Sequence, residues 1–207
     1  MIYKTPPWIL GTLLGAKRGA IAPQDGHIDP FGRLFIEHSI KQKAYFFHKL
    51  FKLQHMKVLP ANSKAIYRTQ IHSKTGKAYT SLCVRSQRVF QVERKLFYPE
   101  KEKRIPLGIE QCFNEEALAF WYMDDGGRNS KYGTGMVLDV SSFSENDRAT
   151  LAQVLNNRFD VATTFHNRSE KNVKLYIRAS SAQRFCNLIR PFVIPEMLYK
   201  LTKPPTT

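Results

Sequence analysis

Asp124 and Asp125 are adjacent carboxylates that close an apolar stretch, residues 117–123, and stand directly before Gly126 and Gly127. Carboxylate oxygens are hard donors that suit Mg2+, and Asp is also a common turn residue. Either chemistry fits a helix that leaves the core and ends at a chain reversal. Consecutive helical residues lie roughly 100° apart, so the two acids face different neighbours. Spacing alone leaves open which of the two would bind a metal and which would serve packing or the turn. Cys83, Cys112 and Cys186 lack metal-ligand spacing and read as reduced thiols in or near the core.

The elements that must hold these acids belong to a chain of 207 residues, 43% of them hydrophobic, enough to bury a core. The net charge of +15 makes a polyanion the expected partner. It is uneven: residues 1–110 hold 20 Lys and Arg against 7 Asp and Glu, whereas residues 111–207 hold 12 against 10. No apolar run approaches the ~20 residues of a membrane span. The first residues do not read as a targeting peptide.

The periodicity reads as a helix at 6–15, a strand at 32–39 and an amphipathic helix at 41–54 with Phe47, Leu50 and Phe51 on one side. A hairpin at 65–86 around Lys74–Lys77 and a helix at 87–97 follow. The order then returns: a helix ending at Asp125, a strand at 135–144, a helix at 145–159 capped by Ser144, a hairpin at 161–181 and a helix at 182–192. Residues 86–99 lie over 182–195 without a gap, pairing Gln87 with Gln183, Arg88 with Arg184 and Arg94 with Arg190. The expectation is an α+β chain of two αββαββα halves, 1–110 and 111–207, forming one compact unit. The two leading helices should pack at a pseudo-twofold axis, with Gly11 and Gly15 allowing close approach.

Aligned, "ILGTLLGAK" (9–17) lies beside "LAFWYMDDG" (118–126). With the Trp-Tyr-Met-Asp-Asp-Gly-Gly run (121–127), "LFIEHSIKQKAY" (34–45), "KRIP" (103–106) and "LIRPFVIPEMLYKL" (188–201), the chain resembles the LAGLIDADG homing endonucleases, in their single-chain branch with two motifs. The resemblance spans nearly the whole chain. It implies saddle-shaped antiparallel sheets that lie in a DNA groove, and two helix ends that each deliver an acid to Mg2+ between the scissile phosphates. Asp125 matches the metal-binding acid. Lys103 and Lys200 match basic residues near the catalytic centre, with a solvated charge as the alternative for Lys103. Candidate nucleic-acid contacts are Arg33, Arg68, Gln70, His72, Lys74, Lys77, Arg85, His166, Arg168, Lys174 and Arg178, since Arg and Gln read base edges and Lys meets phosphate.

One departure dominates. The first motif carries Ala16 where the partner acid belongs, and neither Asp25 nor Asp29 replaces it readily from the loop beyond. The expectation is therefore a nucleic-acid-binding protein defective in cleavage. It would act on RNA as an intron-splicing maturase or a component of an organellar ribosome, in the mitochondrion or chloroplast. It would be a monomer with internal pseudo-symmetry, alone or in a ribonucleoprotein. The alternatives are a double-strand DNA endonuclease with an engineered Ala16, or a nickase that uses Asp125; Mg2+ is required only if the chain cuts.

Overall fold

Two apolar helices, far apart in sequence, form the centre of one part of the computed structural model, which describes residues 4–15, 26–60, 62–71, 75–128, 135–169 and 172–201. α1 (Pro7–Leu14) opens on a proline, whose missing N–H costs nothing at the first helical position, and every residue from Trp8 to Leu14 is buried. α4 (Glu115–Asp125) opens on Asn114, whose side chain accepts the Ala117 N–H at 3.0 Å, and has Glu115 and Glu116 in its first turn. Those acids complement the helix dipole. Its residues 117–123 are all buried. A helix apolar on every side must be surrounded, and each of these two covers the other.

The approach is close enough to require glycine. A Cβ on Gly11 would lie 2.1 Å from the Ala117 carbonyl oxygen and 2.8 Å from the Phe120 Cβ. The rings of Trp8 and Phe120 meet at 5.9 Å. Burying each Ile or Leu of α1 is worth about 1.5–3 kcal/mol, so the pairing is a main source of cohesion here.

The chain divides into two compact units, Met1–Arg18 with Lys95–Thr207, and Gly19–Arg94. Thus α1 clusters with the second repeat, although the sequence repeat divides at 110.

The Gly19–Arg94 unit holds an antiparallel sheet in the order β1 (His27–Ile28), β2 (Arg33–Ser39), β4 (Ala78–Arg88), β3 (Ile66–Ile71). α2 (Lys43–His55) covers one face with Tyr45, Phe46, Leu50 and Leu53, and His38 meets Tyr45 at 4.9 Å. The expected apolar side of α2 is partly wrong. Leu50 is buried, but Phe47 and Phe51 are 42% and 66% exposed, and the interior takes Lys49 over the Tyr45 ring at 4.5 Å. The aliphatic stem of a lysine packs like an apolar chain, which hid this face from a hydrophobicity count.

In the other unit, β5 (Gly126–Arg128), β6 (Met136–Asp139), β8 (Asn172–Ile177) and β7 (Thr163–Ser169) form the second antiparallel sheet in that order. α5 (Glu145–Phe159) is capped by Ser144, which accepts the Asp147 N–H at 3.2 Å. α6 (Ala179–Ile189) buries Phe185 against Tyr122, ring to ring at 5.2 Å. Cys83 and Cys186 are buried and Cys112 is half-buried, and none of the three is in a disulfide. Among the described residues no helix is long and apolar enough to cross a membrane.

The element order is αββαββα twice, completed by α3 (Gln91–Phe97). That order requires the very short β1 and β5, but two or three residues carry no alternation that would place them. β4 also runs on to Arg88, where a helix was expected from residue 87.

Candidate functional site

The ends of α1 and α4 lie in the same unit, and a lysine closes each. A helix leaves its last carbonyls without intrahelical partners. Lys103 Nζ donates to the Leu14 carbonyl at 2.9 Å, and Lys200 Nζ donates to the Met123 carbonyl at 2.5 Å. The alignment of the two motifs pairs Leu14 with Met123. Tyr122 fixes the second arrangement by donating its hydroxyl to the Lys200 carbonyl at 2.8 Å; burial pushes that phenol's pKa up.

Lys103 is only 4% exposed, and its ammonium also lies over the Phe143 ring at 4.2 Å and 3.5 Å from Ser142 Oγ. Burial lowers its pKa to about 7, against the opposing pull of the Asp125, Asp139 and Asp124 carboxylates. A solvated charge in the "EKEKR" stretch is thus excluded for Lys103. Asp139 makes an ion pair with Lys174. Burial raises the Asp139 carboxyl, and the Lys174 and Ser141 hydrogen bonds outweigh it and hold it low. Asp124 packs on α1, since a Cβ on Gly15 would fall 2.5 Å from the Asp124 Cβ.

Does this end of the helix pair fit a shared divalent ion? Ala16 lies outside the described residues, and its methyl group offers no donor. Among the described residues no group of three or more His, Cys, Asp or Glu side chains is placed to hold a metal. The donor set does not fit a centre shared between two acids.

The sheet of the Gly19–Arg94 unit has a second face, opposite α2. Cross-strand partners point to the same side, which places Phe35, Glu37, Arg68, Gln70, Tyr79, Ser81 and Arg85 together. Arg68 and Arg85 both stand over the Phe35 ring at 5.4 Å. Glu37, buried, takes the Ser81 hydroxyl and lies 3.7 Å from Arg68. Tyr79 donates to Gln70 at 2.9 Å. Arg33 is held by Asp29 at 2.7 Å, and Lys77 is exposed beside the hairpin turn. His72 and Lys74 lie outside the described residues.

Sequence reading missed Arg88 on this face. The β2–β4 register passes from Arg33↔Arg88 to Phe35↔Arg85, two residues against three, so β4 carries a bulge. A bulge flips the alternation and turns Arg88 to the side of Arg85. The Ser86 hydroxyl, which accepts the Leu34 N–H at 2.8 Å, accommodates the extra residue. Nothing in a period-two pattern announces such a slip.

The second sheet's corresponding face is sparser. His166 stacks on Tyr176 at 4.8 Å, and Lys174 is spent on Asp139. Arg168 belongs to β7, with its side chain outside the description. Arg178 sits one residue past β8 as the N-cap of α6.

A family model described as the LAGLIDADG DNA endonuclease family matches residues 8–185. The cytochrome b mRNA maturase bI2 of Debaryomyces hansenii is 31% identical over 113 residues, covering 54% of this chain and 42% of its own. A probable intron-encoded endonuclease 1 of Wickerhamomyces canadensis is 32% identical, with 51% and 48% covered. The chain therefore spans less than half the length of these two relatives. Among solved structures, the homing endonuclease I-WcaI bound to its DNA recognition sequence superposes with a TM-score of 0.76 at 21% identity, over 95% of this chain and 87% of that one. At that identity the likeness is one of fold. Two paired helices of matching motif, each followed by an antiparallel four-stranded sheet, agree with a match over most of the sequence: the chain belongs to the LAGLIDADG DNA endonuclease family.

Proposed function

We infer that this chain binds structured RNA and does not cut both strands of DNA, acting as a maturase-type factor in intron splicing within an organelle. One observation carries the reading: the sequence has Ala16 in the slot that Asp125 fills on the second motif helix. Losing one of two acids removes a ligand and half of the charge that would face two phosphates. The cationic face of the first sheet, with Arg33, Arg68, Arg85 and Arg88, needs no acid to grip a backbone. Relatives described as cytochrome b mRNA maturases support the splicing role and the organellar setting.

A nickase that works from Asp125 is the second reading, favoured by the retention of Lys103 and Lys200 at the helix ends. The first test is RNA captured by the purified chain from an organellar extract, together with a Mg2+-dependent cutting assay on a duplex DNA library. Capture of intron RNA with no cut supports the splicing reading. Cutting of both strands, with no RNA retained, overturns it. Single-strand nicks abolished by Asp125→Asn establish the second reading instead.

A further inference from the structure

The turn between β1 and β2 displays a phenylalanine where water should be cheaper. Phe31 is 56% exposed. Its backbone N–H donates to the Asp29 carboxylate at 2.9 Å, and the same oxygen accepts the Arg33 N–H at 3.0 Å. Burial pushes the Asp29 carboxyl up, but these bonds and the Arg33 side chain hold it below its ordinary value. Gly32 closes the turn with φ of 76°, and a Cβ there would meet Gln91 at 2.7 Å. Pro30 fixes another φ. A lone exposed Phe is ordinary; one held on a hydrogen-bonded turn with two cations against its ring is not. The Arg33 guanidinium lies 5.1 Å from the ring centroid and that of Arg88, delivered by the β4 bulge, lies 5.3 Å away.

We propose that Phe31, Arg33 and Arg88 form a stacking platform for a single unpaired nucleobase, with the guanidiniums meeting the adjoining phosphates. The assignment rests on the nucleic-acid-binding reading above and adds the chemical form of the ligand. A paired base shows only its edge, to which a phenyl ring offers no hydrogen bond and at most contact with a thymine methyl. An unpaired base shows its π face, which stacks on aromatic rings and on guanidinium planes alike. The turn is already ordered, so little freedom is lost on binding.

The test uses two RNA duplexes of one sequence, one with a single bulged 2-aminopurine and one fully paired, and the matching pair in DNA, at low salt. The full chain should bind the bulged duplex about 5- to 150-fold more tightly than the paired one, with a change in 2-aminopurine fluorescence. Phe31→Ala should level the two affinities, and Phe31→Trp should keep the preference. Because the ring is on the surface, neither change should disturb folding. A gain on RNA alone assigns the base to RNA, and an equal gain on DNA assigns the platform to unpaired bases of either source. Binding without bulge preference, or preference that survives Phe31→Ala, overturns this assignment alone. No binding to any of the four overturns it together with the functional reading.

Discussion

The ends of α1 and α4 pose the same backbone problem and carry different side chains. At both, a lysine donates to the equivalent carbonyl, Lys103 to Leu14 and Lys200 to Met123. At α4 the next residues are Asp124 and Asp125; at α1 they are Gly15 and Ala16. One end carries acids and the other none, and a lysine stands at both. The difference separates two jobs that sit side by side. On the reading proposed above a carboxylate there would serve chemistry on phosphates, whereas each lysine satisfies an orphan carbonyl whether or not a reaction occurs. Lys103 is the sharper case, since it is buried and held at a pKa of about 7 beside acids of the other helix.

The widest effect should come from making the ends alike. Ala16→Asp should raise Mg2+-dependent cutting of duplex DNA by more than about 10- to 100-fold, the loss that even outer partners of a metal site cause. The comparison breaks if this variant and the parent cut equally, or if cutting by the variant survives Asp125→Asn. Next in size is the contact that holds the two helices together. Gly11→Val should cost about 3 kcal/mol or more, because its side chain collides with the Ala117 carbonyl, lowering Tm by roughly 6–12 °C. Gly127→Ala, which meets nothing within 4 Å, should leave Tm nearly unchanged.

A smaller effect separates the lysines by pH. Lys103 has a folded pKa of about 7 and an unfolded value of 10.5. Between them the unfolded chain holds the extra proton, so stability should rise with pH across this window, by at most about 1.4 kcal/mol per unit. Below it both states are charged and the burial cost stands in full. Urea titrations from pH 7 to 9, above the range in which the buried His27 titrates, should therefore show a positive slope that Lys103→Met removes. Asp125→Asn should move the lower edge of the window downward, because the Asp125 charge holds the Lys103 pKa up. A slope that persists in Lys103→Met would assign the titration elsewhere. Comparable in size is Lys200→Met, which loses one charged hydrogen bond and should cost about 1.5–3 kcal/mol at pH 7, measured by the same titrations.

How far the sequence reveals this depends on what each residue's neighbours are. The apolar run 117–123 declares a helix enclosed on all sides, and Gly11 declares where its partner comes close, since both are statements about one segment. The recurrence of the element order in the second half also follows from the repeat. Lys49 and Phe51 exchange the places that hydrophobicity assigns them, because a Tyr45 ring underneath welcomes the lysine. Arg88 is invisible for another reason: its direction depends on a bulge opposite β2, and the pairing of two distant strands decides that. Of the candidate site, the motif resemblance singles out Asp125, Lys103 and Lys200, and the two lysines do lie at the ends of the motif helices. The pairing of each lysine with a helix carbonyl is legible only in three dimensions.

The pairing of α1 with α4 has a consequence for synthesis. Gly11 and the Ala117 carbonyl it touches are 106 positions apart. At the ~5–20 residues per second of a ribosome, α1 is made about 5–20 s before its partner. Throughout that time Trp8, Ile9, Leu10, Leu13 and Leu14 have no cover of their own. The Gly19–Arg94 unit is continuous and can fold as it emerges, while the unit that contains α1 must wait for the second half. A nascent chain arrested before residue 115 would thus expose the apolar α1 segment without its partner, a form prone to chaperone capture and aggregation.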